Sequence, residues 1–549
     1  MSAVALNPRS HSSRAARVMI ALMLTAWLLW LTSGMLPVTP IEGDEHGVIF
    51  GSTAMATGDA RYWTLNYLYD IQPGAYQLIS RASRVTGVSV ESVFATLSSG
   101  GALLFAAAAA LLVQRLLGAP WPLVLTGIFL CQEIWAGAYY MNTTAIGGWL
   151  ALAALLPLVK PVTPARRWLA AGFLALAGWI RIDCLLLSAA VPAFLWRTQP
   201  DWKQTVRQTA LIAAPAVAFF LVLFLASGAD LHLLVDTYQA REGREGWLRS
   251  VTMYPLVTSA LLAALSLPGC ALLFAKEHRG LALICLLGVL PSLTIYGSSL
   301  ASNKYLYLTT PFLILPALLA VQFIQGRWRS LGTPLRFAAI GLGGLLLSFD
   351  TWLGVLTSSD TFRSFQPRPR FATLGGLELG GRRRELTLGA GELLNTTDGY
   401  RLRGGTFFGP ATWRLDKQDV IDRLESLAVT LRREDASSVY YGDWLSYQMC
   451  LRVLLQEGFV FEDRFDAGKS FPYSGSWRRG HQIVHTAFLA YTDSIFYRPG
   501  PRPTNATGVH TFFIGSLQHH GPIAELDDSL AWKSTVPGDF GHIRIVQRL

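Results

Sequence analysis

The sequence predicts a polytopic α-helical membrane protein of about eleven spans, followed by a soluble, periplasmic domain of mixed α/β type. Three observations lead there. Hydrophobic residues make up 51% of the 549 residues and charged ones 15%, where a soluble chain carries about 25% charged residues. The apolar residues gather in long blocks. The chain also changes character near residue 357: residues 1–357 are hydrophobic, whereas 358–549 have an ordinary, charged composition. Lys and Arg divide 23 and 23 across that line, and Asp and Glu 15 and 21. The positive excess lies in short loops between spans, where it reports orientation, so no nucleic-acid partner is expected.

The expected spans are Val18–Pro37, Val93–Leu117, Trp121–Tyr139, Thr144–Val159, Trp168–Ile180, Cys184–Trp196, Thr209–Ser227, Val251–Phe274, Leu281–Ser298, Tyr305–Ile324 and Phe337–Thr357. The first has an apolar run too long for a signal peptide and no small-residue cleavage site, and reads as an uncleaved anchor. Arg9, Arg14 and Arg17 precede it and place the N-terminus in the cytoplasm.

The stretch Trp168–Trp196 decides the topology, because Arg181 and Asp183 fall in its middle. As one helix it would run about 43 Å against a hydrocarbon core of about 30 Å. Each mid-depth charge would add about 2.5–3.5 kcal/mol on the insertion scale. A hairpin turning at Arg181–Asp183 has arms of about 20 Å and needs a recessed turn lining a wet cavity. With the hairpin, the inside loops 197–208, 276–280 and 326–336 carry eight Lys or Arg; without it, the inside loops 228–250 and 300–304 carry four. The hairpin is therefore expected, with the C-terminal domain outside.

This topology puts 41–91 and 228–250 on the outer face, where they hold ten of the fifteen acidic residues of the membrane part. Glu91, Glu242 and Glu245 read as solvated loop charge. The cluster "GDEH" at Gly43–His46 does not, because it follows a span end within a few residues, with little room to reach bulk water.

The run "GDEHGVIFGSTAMATGDARYWTLNYLYDIQPGAYQLI" resembles the first outer loop of family-C glycosyltransferases, in the bacterial branch akin to protein O-mannosyltransferases and lipid A aminoarabinose transferases. That family carries an Asp-Glu pair after the first span, a Gly-Asp about fifteen residues later and a Pro-rich element about thirty residues on. The corresponding residues here are Asp44-Glu45, Gly58-Asp59 and Pro73-Gly74-Ala75-Tyr76. "VTGVSVESVFATLSSGGALL", "WLAAGFLALAGWIRIDCLLL" and "NKYLYLTTPFLILPALLA" extend the likeness to about residue 325. The sequence departs from the family at Gln72, where Lys or His is frequent, at Gly74 in place of a second proline, at Val93-Phe94 in place of an Arg, and at Asn142 in place of a charged residue.

The resemblance implies a GT-C type fold and transfer of a sugar from a polyprenyl-phosphate donor to a lipid, glycan or protein acceptor on the outer side of the membrane. Phosphate leaves readily, so the reaction needs a carboxylate for the acceptor's proton and a cation for the departing phosphate rather than a strong acid. Asp44 is accordingly the expected catalytic carboxylate, with Glu45 orienting the acceptor or a cation. A helix cap or ordinary loop charge is the bland reading of the same residues.

Lys304 with Tyr305, and Arg181 beside Asp183, are the candidates for the donor phosphate. A snorkelling interfacial Lys and a structural Arg–Asp pair are their competitors. Asp59, Gln72 and Tyr76 are expected to bind substrate. His232, Asp236, Tyr238, Arg241 and Arg244 would form a mobile lid or, alternatively, a solvated amphipathic segment. Aromatic residues between Asp59 and Arg84 suggest amphipathic helices lying on the membrane plane.

His46 reads as bystander polarity, because no second His stands at ligand spacing, and no metal site is expected. No cofactor is required, although the carboxylates could take a divalent cation (Mg or Mn). The five cysteines form no CxxC, and the four that lie in apolar blocks read as buried small hydrophobes. In the C-terminal domain, "ASSVYYGDWLSYQMCLRVLLQEGFVFEDRF" predicts strand, turn, amphipathic helix and strand, and three later stretches predict strands. Acceptor binding is its expected task. Ala- and Leu-rich composition with Arg over Lys points to a bacterial inner membrane. The rival class is a non-catalytic transporter or scaffold, but a transporter should show internal repeats and charges deep within several spans, which the sequence lacks.

Overall fold

The computed structural model describes residues 43–58, 68–131, 134, 141, 143–232, 234, 260–296, 307–330 and 332–355. In the C-terminal part it describes 378–379, 382–383, 392–396, 399–403, 424–425, 427–429, 431–432, 436–441, 444–464, 475–488, 509–514, 532–534 and 544–548. The expected first span, Val18–Pro37, lies outside the described residues.

Local signals in the sequence set the ends of the helices. After α1 (Gly43–Thr57) and the single turn α2 (Leu68–Ile71), Pro73 opens α3 (Pro73–Thr86), where its missing N–H is not needed. Gly87 closes α3 at φ 70°, a conformation glycine adopts without strain. The Ser89 side chain caps α4 (Val90–Leu117) by accepting from Ser92 N at 3.2 Å. There follow α5 (Trp121–Leu130), shorter than the expected Trp121–Tyr139, and α6 (Thr143–Leu155), extended by a 3-10 turn (Leu156–Val159).

Thr163 caps α7 (Pro164–Ile180), which ends where Arg181 turns extended at φ −158° and ψ 120°. The chain continues as an unusually long 3-10 helix (Ile182–Ala190) and then α8 (Val191–Thr198). Asp201 caps α9 (Trp202–Ala226), and α10 (Ala260–Leu273), α11 (Arg279–Tyr296), α12 (Thr310–Arg327) and α13 (Thr333–Val355) complete the helical part.

The break at Arg181 turns the chain back on itself. Arg197, at the end of α8, donates to the Leu116 carbonyl at the end of α4 at 2.6 Å, and α8 packs against the 3-10 turn that precedes α7. The returning arm runs over 182–198, four residues more than the expected 184–196, and its 3-10 part rises about 2 Å per residue, so it reaches roughly 30 Å and not the expected 20 Å. The ends of the helices consequently gather at two levels. One holds Leu116, Arg197 and Gly280; the other holds Glu91, Thr143, Arg181 and Ser227 together with α1–α3.

Small residues let the helices touch. A Cβ on Gly101 of α4 would lie 2.8 Å from the Ala145 carbonyl of α6, and one on Gly269 of α10 would overlap the Pro316 carbonyl of α12. Large apolar side chains of α9 (Val217, Val222, Leu225) and α13 (Leu335, Phe337, Ile340, Leu345) are instead more than half exposed, as on a surface that meets lipid. Among the described residues, the helical stretches Val90–Leu117, Trp202–Ala226 and Tyr307–Arg327 are long and apolar enough to cross a membrane, and Thr143–Val159, Leu261–Leu273 and Arg279–Ser292 are shorter apolar segments. Of the cysteines in apolar blocks, Cys131, Cys184 and Cys285 are buried as expected and Cys270 is exposed; Cys450 of the C-terminal part is buried too.

The C-terminal part contains the hairpins β1 (Glu378–Leu379)–β2 (Arg382–Arg383) and β3 (Glu392–Thr396)–β4 (Gly399–Arg403). A mixed sheet is built from β5 (Ala436–Tyr441), β6 (Val460–Arg464), β7 (Gly475–Arg479), β8 (Gln482–Phe488), β9 (Val509–Ile514), β10 (Trp532–Ser534) and β11 (Arg544–Arg548), in the order β10-β11-β9-β5-β8-β7-β6. Strand β5 runs parallel to both β8 and β9, and the remaining pairs are antiparallel. Helix α14 (Trp444–Gln456) follows β5 and buries Met449, Cys450, Leu451, Val453 and Leu454. It packs against α1, joining the two ends of the sequence.

Candidate active site

The first turn of α1 carries Asp44, Glu45 and His46. Negative charge belongs at a helix N-terminus, where unpaired backbone N–H groups and the dipole favour it. Glu45 is 3% exposed, and its Oε1 accepts from the Met141 backbone N at 3.1 Å, just before α6 begins. His46, far from being a bystander, is fully buried. Its Nδ1 lies 3.2 Å from Arg452 Nη1 of α14. A guanidinium only donates, so Nδ1 accepts and the imidazole hydrogen sits on Nε2. Arg452 Nη2 also donates to Glu91 Oε2 at 2.5 Å. Glu91 is therefore an interface residue and not the solvated loop charge expected of it, because α14 covers the start of α4.

A second polar cluster sits at the hairpin turn. Arg181 Nε donates to Asp183 Oδ2 at 2.9 Å. Arg181 Nη1 reaches both Gln72 Oε1 at 3.0 Å and Thr143 Oγ1 at 2.9 Å, and the Thr143 hydroxyl donates to Gln72 Oε1. All four side chains are buried. Gln72 stands at the N-cap of α3 but makes no capping bond, its amide being committed to Arg181 instead. The entry of α6 thus roots both charges: Met141 holds the carboxylate of Glu45, and Thr143 holds the guanidinium of Arg181.

A third cluster ties α2 to the end of α9. Tyr69 OH donates to the Ser227 carbonyl, and Trp179 Nε1 donates to Ser227 Oγ at 2.7 Å. Asp70 Oδ1 accepts from Asp230 N at 2.8 Å, and Asp230 Oδ1 accepts in turn from His232 N at 2.7 Å. Burial, reinforced by the Asp230 charge, pushes the Asp70 carboxyl up to about 6. Burial, with the Asp70 charge behind it, pushes the Tyr69 phenol up to about 12.

The expected site residues thus separate. Glu45, Gln72, Arg181 and Asp183 come together around the start of α6. Tyr76 is wholly buried, edge-on to Tyr69 with ring centroids 5.4 Å apart, so its ring packs α3 against α1. His232 is exposed at the root of the second acidic loop. Tyr307, next to the Lys304 segment, is buried and stacks on Phe105 at 4.1 Å. The Asp44 side chain lies outside the described residues, as do Asp59, Asp236, Tyr238, Arg241, Arg244, Lys304 and Tyr305. Thr143, Asp70 and Arg452 went unseen in the sequence, because each acquires its partner only through long-range packing. Among the described residues, no three His, Cys, Asp or Glu side chains gather as a metal-binding group.

No protein-family model matches the chain, and no curated protein matches it in sequence. Its fold does match solved structures. ArnT from Cupriavidus metallidurans in the apo state superposes with a TM-score of 0.60 at 13% identity, covering 97% of this chain and 98% of that one. The same protein bound to undecaprenyl phosphate superposes with a TM-score of 0.56 at 12% identity, over the same shares of the two chains. ArnT is the lipid A aminoarabinose transferase, a GT-C enzyme. The likeness extends past residue 325, where the sequence resemblance stops, and takes in the C-terminal part.

Proposed function

We propose that this protein is a membrane glycosyltransferase of the GT-C type that moves a hexose or pentose from a polyprenyl-phosphate donor to a lipid, glycan or protein acceptor. The observation that carries this reading is the pairing of a buried carboxylate and a buried guanidinium on the two sides of the α6 entry, at the ends of apolar helices. The ArnT fold supports it, and the polyprenyl phosphate bound by ArnT is the donor chemistry such a site would take. We place the site on the periplasmic face of a bacterial inner membrane, with the N-terminus cytoplasmic.

In this reaction the acceptor hydroxyl or amine attacks the anomeric carbon, the bond from that carbon to phosphate oxygen breaks, and the polyprenyl phosphate departs with the electron pair. Asp44 takes the acceptor's proton as the new bond forms, in a single displacement. Glu45, held by Met141 N, orients the acceptor beside it. Gln72, Thr143 and Asp183 lock the Arg181 guanidinium in one orientation, so that it meets the leaving phosphate without reorganisation. Lys304 and Tyr305 supply the remaining phosphate contacts. Asp59 with His232, Tyr238 and Arg241 faces the substrates from the two outer loops.

The test is transfer in membranes supplied with labelled polyprenyl-phosphate sugars, comparing wild type with Asp44→Asn. Loss of transfer by roughly 10²–10⁴-fold in a folded, inserted variant supports the assignment. Equal transfer by both proteins removes Asp44 from the chemistry. A transporter or scaffold would tolerate the substitution while still carrying or assembling its glycan or lipid.

A further inference from the structure

Helix α1 is gripped from two directions. Glu45 anchors it to the start of α6 inside the helical bundle. The neighbouring residue, His46, anchors it to Arg452 of α14, 406 positions further along the chain. The Arg452 guanidinium forks, one nitrogen on His46 and the other on Glu91 at the first turn of α4. It is 8% exposed and lies within the otherwise apolar buried face of α14. An apolar residue of similar volume would hold such an interface at least as firmly. What the fork adds is direction, because a planar guanidinium bonded to two acceptors on two helices permits one relative placement of them.

We propose that Arg452 is a positioning residue for sugar transfer: its fork between His46 and Glu91 sets the first turn of α1, and with it the Asp44–Glu45 pair. The C-terminal helix is then a working part of the site and more than a separate acceptor-binding module. The inference rests on the reading of Asp44 as the catalytic carboxylate. It predicts that Arg452 acts on turnover, since displacing a reacting group by about 1 Å is enough to slow a reaction roughly a hundredfold.

The experiment uses the full chain in proteoliposomes and compares wild type, Arg452→Gln, Arg452→Lys, His46→Leu and His46→Asn. The expected result for Arg452→Gln and His46→Leu is a fall in kcat of roughly 10- to 100-fold with an unchanged donor KM and an intact thermal transition. His46→Asn keeps an acceptor where Nδ1 stood and restores most of kcat, and Arg452→Lys, which keeps the charge but loses the fork, recovers only part of it. Hydrogen exchange read on the same proteins is expected to quicken over 43–57 and to stay unchanged over 143–155. Wild-type kcat in folded Arg452→Gln and His46→Leu, or unchanged exchange over 43–57, overturns the positioning role. If wild type transfers no sugar, the glycosyltransferase reading fails by itself, and the exchange measurement still decides whether Arg452 sets α1.

Discussion

Arg181 and Gln72 stand 109 residues apart in the chain and 3.0 Å apart in the fold. The contact explains a departure from the resembled family, which frequently carries Lys or His where this chain has Gln72. Arg181 already fills that space with a buried positive charge, matched by Asp183. A second cation would have to share Asp183 with Arg181, whereas the Gln72 carbonyl oxygen accepts from both Arg181 and Thr143. Residue 72 and the charged hairpin turn are thus one feature seen from two ends of the sequence.

Gln72→Lys is therefore expected to destabilise the folded protein by about 3–5 kcal/mol, the range for an unmatched buried charge. Gln72→Glu, which keeps an acceptor, should stay folded. Thermal unfolding of the purified protein in detergent reads both, and a well-folded Gln72→Lys variant would contradict the account.

Gly74 is the second departure, and it has a steric cause. A Cβ there would lie 2.6 Å from the Trp179 carbonyl oxygen and 2.5 Å from its ring, so neither proline nor any other side chain fits. Gly74→Ala should cost about 1–3 kcal/mol through overpacking. It should also loosen Ser227, which Trp179 holds. Melting temperature reports the first effect and hydrogen exchange over 223–228 the second.

Glu45 has a structural duty that can be separated from chemistry. Glu45→Gln keeps an acceptor for Met141 N and should leave stability nearly unchanged, so any loss of transfer reports charge. Glu45→Ala leaves that buried N–H without its side-chain partner, at about 1–3 kcal/mol. The pair is read by comparing thermal unfolding with sugar transfer in the same preparations.

Asp70 predicts a pH dependence. Its carboxyl titrates near 6 in the folded protein against 3.8 ordinarily, so the folded state favours the neutral form. The advantage is fully present below about pH 4 and is lost as pH rises through 6, by up to about 3 kcal/mol. Asp230, whose charge raises Asp70, and Arg81, near Tyr69, belong to the same surroundings. Asp70→Asn should flatten this part of the stability profile and stabilise the protein at pH 7.5. Unfolding curves at pH 5 and 7.5 for both proteins check it.

How far the sequence could be read depends on range. The hairpin was legible because two charges in one apolar block are costly anywhere else, and Arg181 does end α7. The length of its returning arm was not, since nothing local announces nine residues of 3-10 helix. The strand, turn, helix and strand read between Ala436 and Phe465 correspond to β5, α14 and β6, each set by its own periodicity. Glu45, Gln72 and Arg181 could be named because they stand in short motifs. Thr143 and Arg452 could not, and Glu91 reads locally as solvated charge, because a lone Thr, Glu or Arg gains meaning only when packing brings it a partner more than seventy residues away. His46 was misread for the same reason.

The link between His46 and Arg452 also sets an order of events in biogenesis. The 406 positions that separate them take roughly 20–80 s to synthesise at about 5–20 residues per second. Through that interval α1 waits without its contact to Arg452. On the role proposed for Arg452, competence for transfer arrives last, once the C-terminal helix has docked, so a prematurely terminated chain carries a carboxylate pair and no means of aiming it.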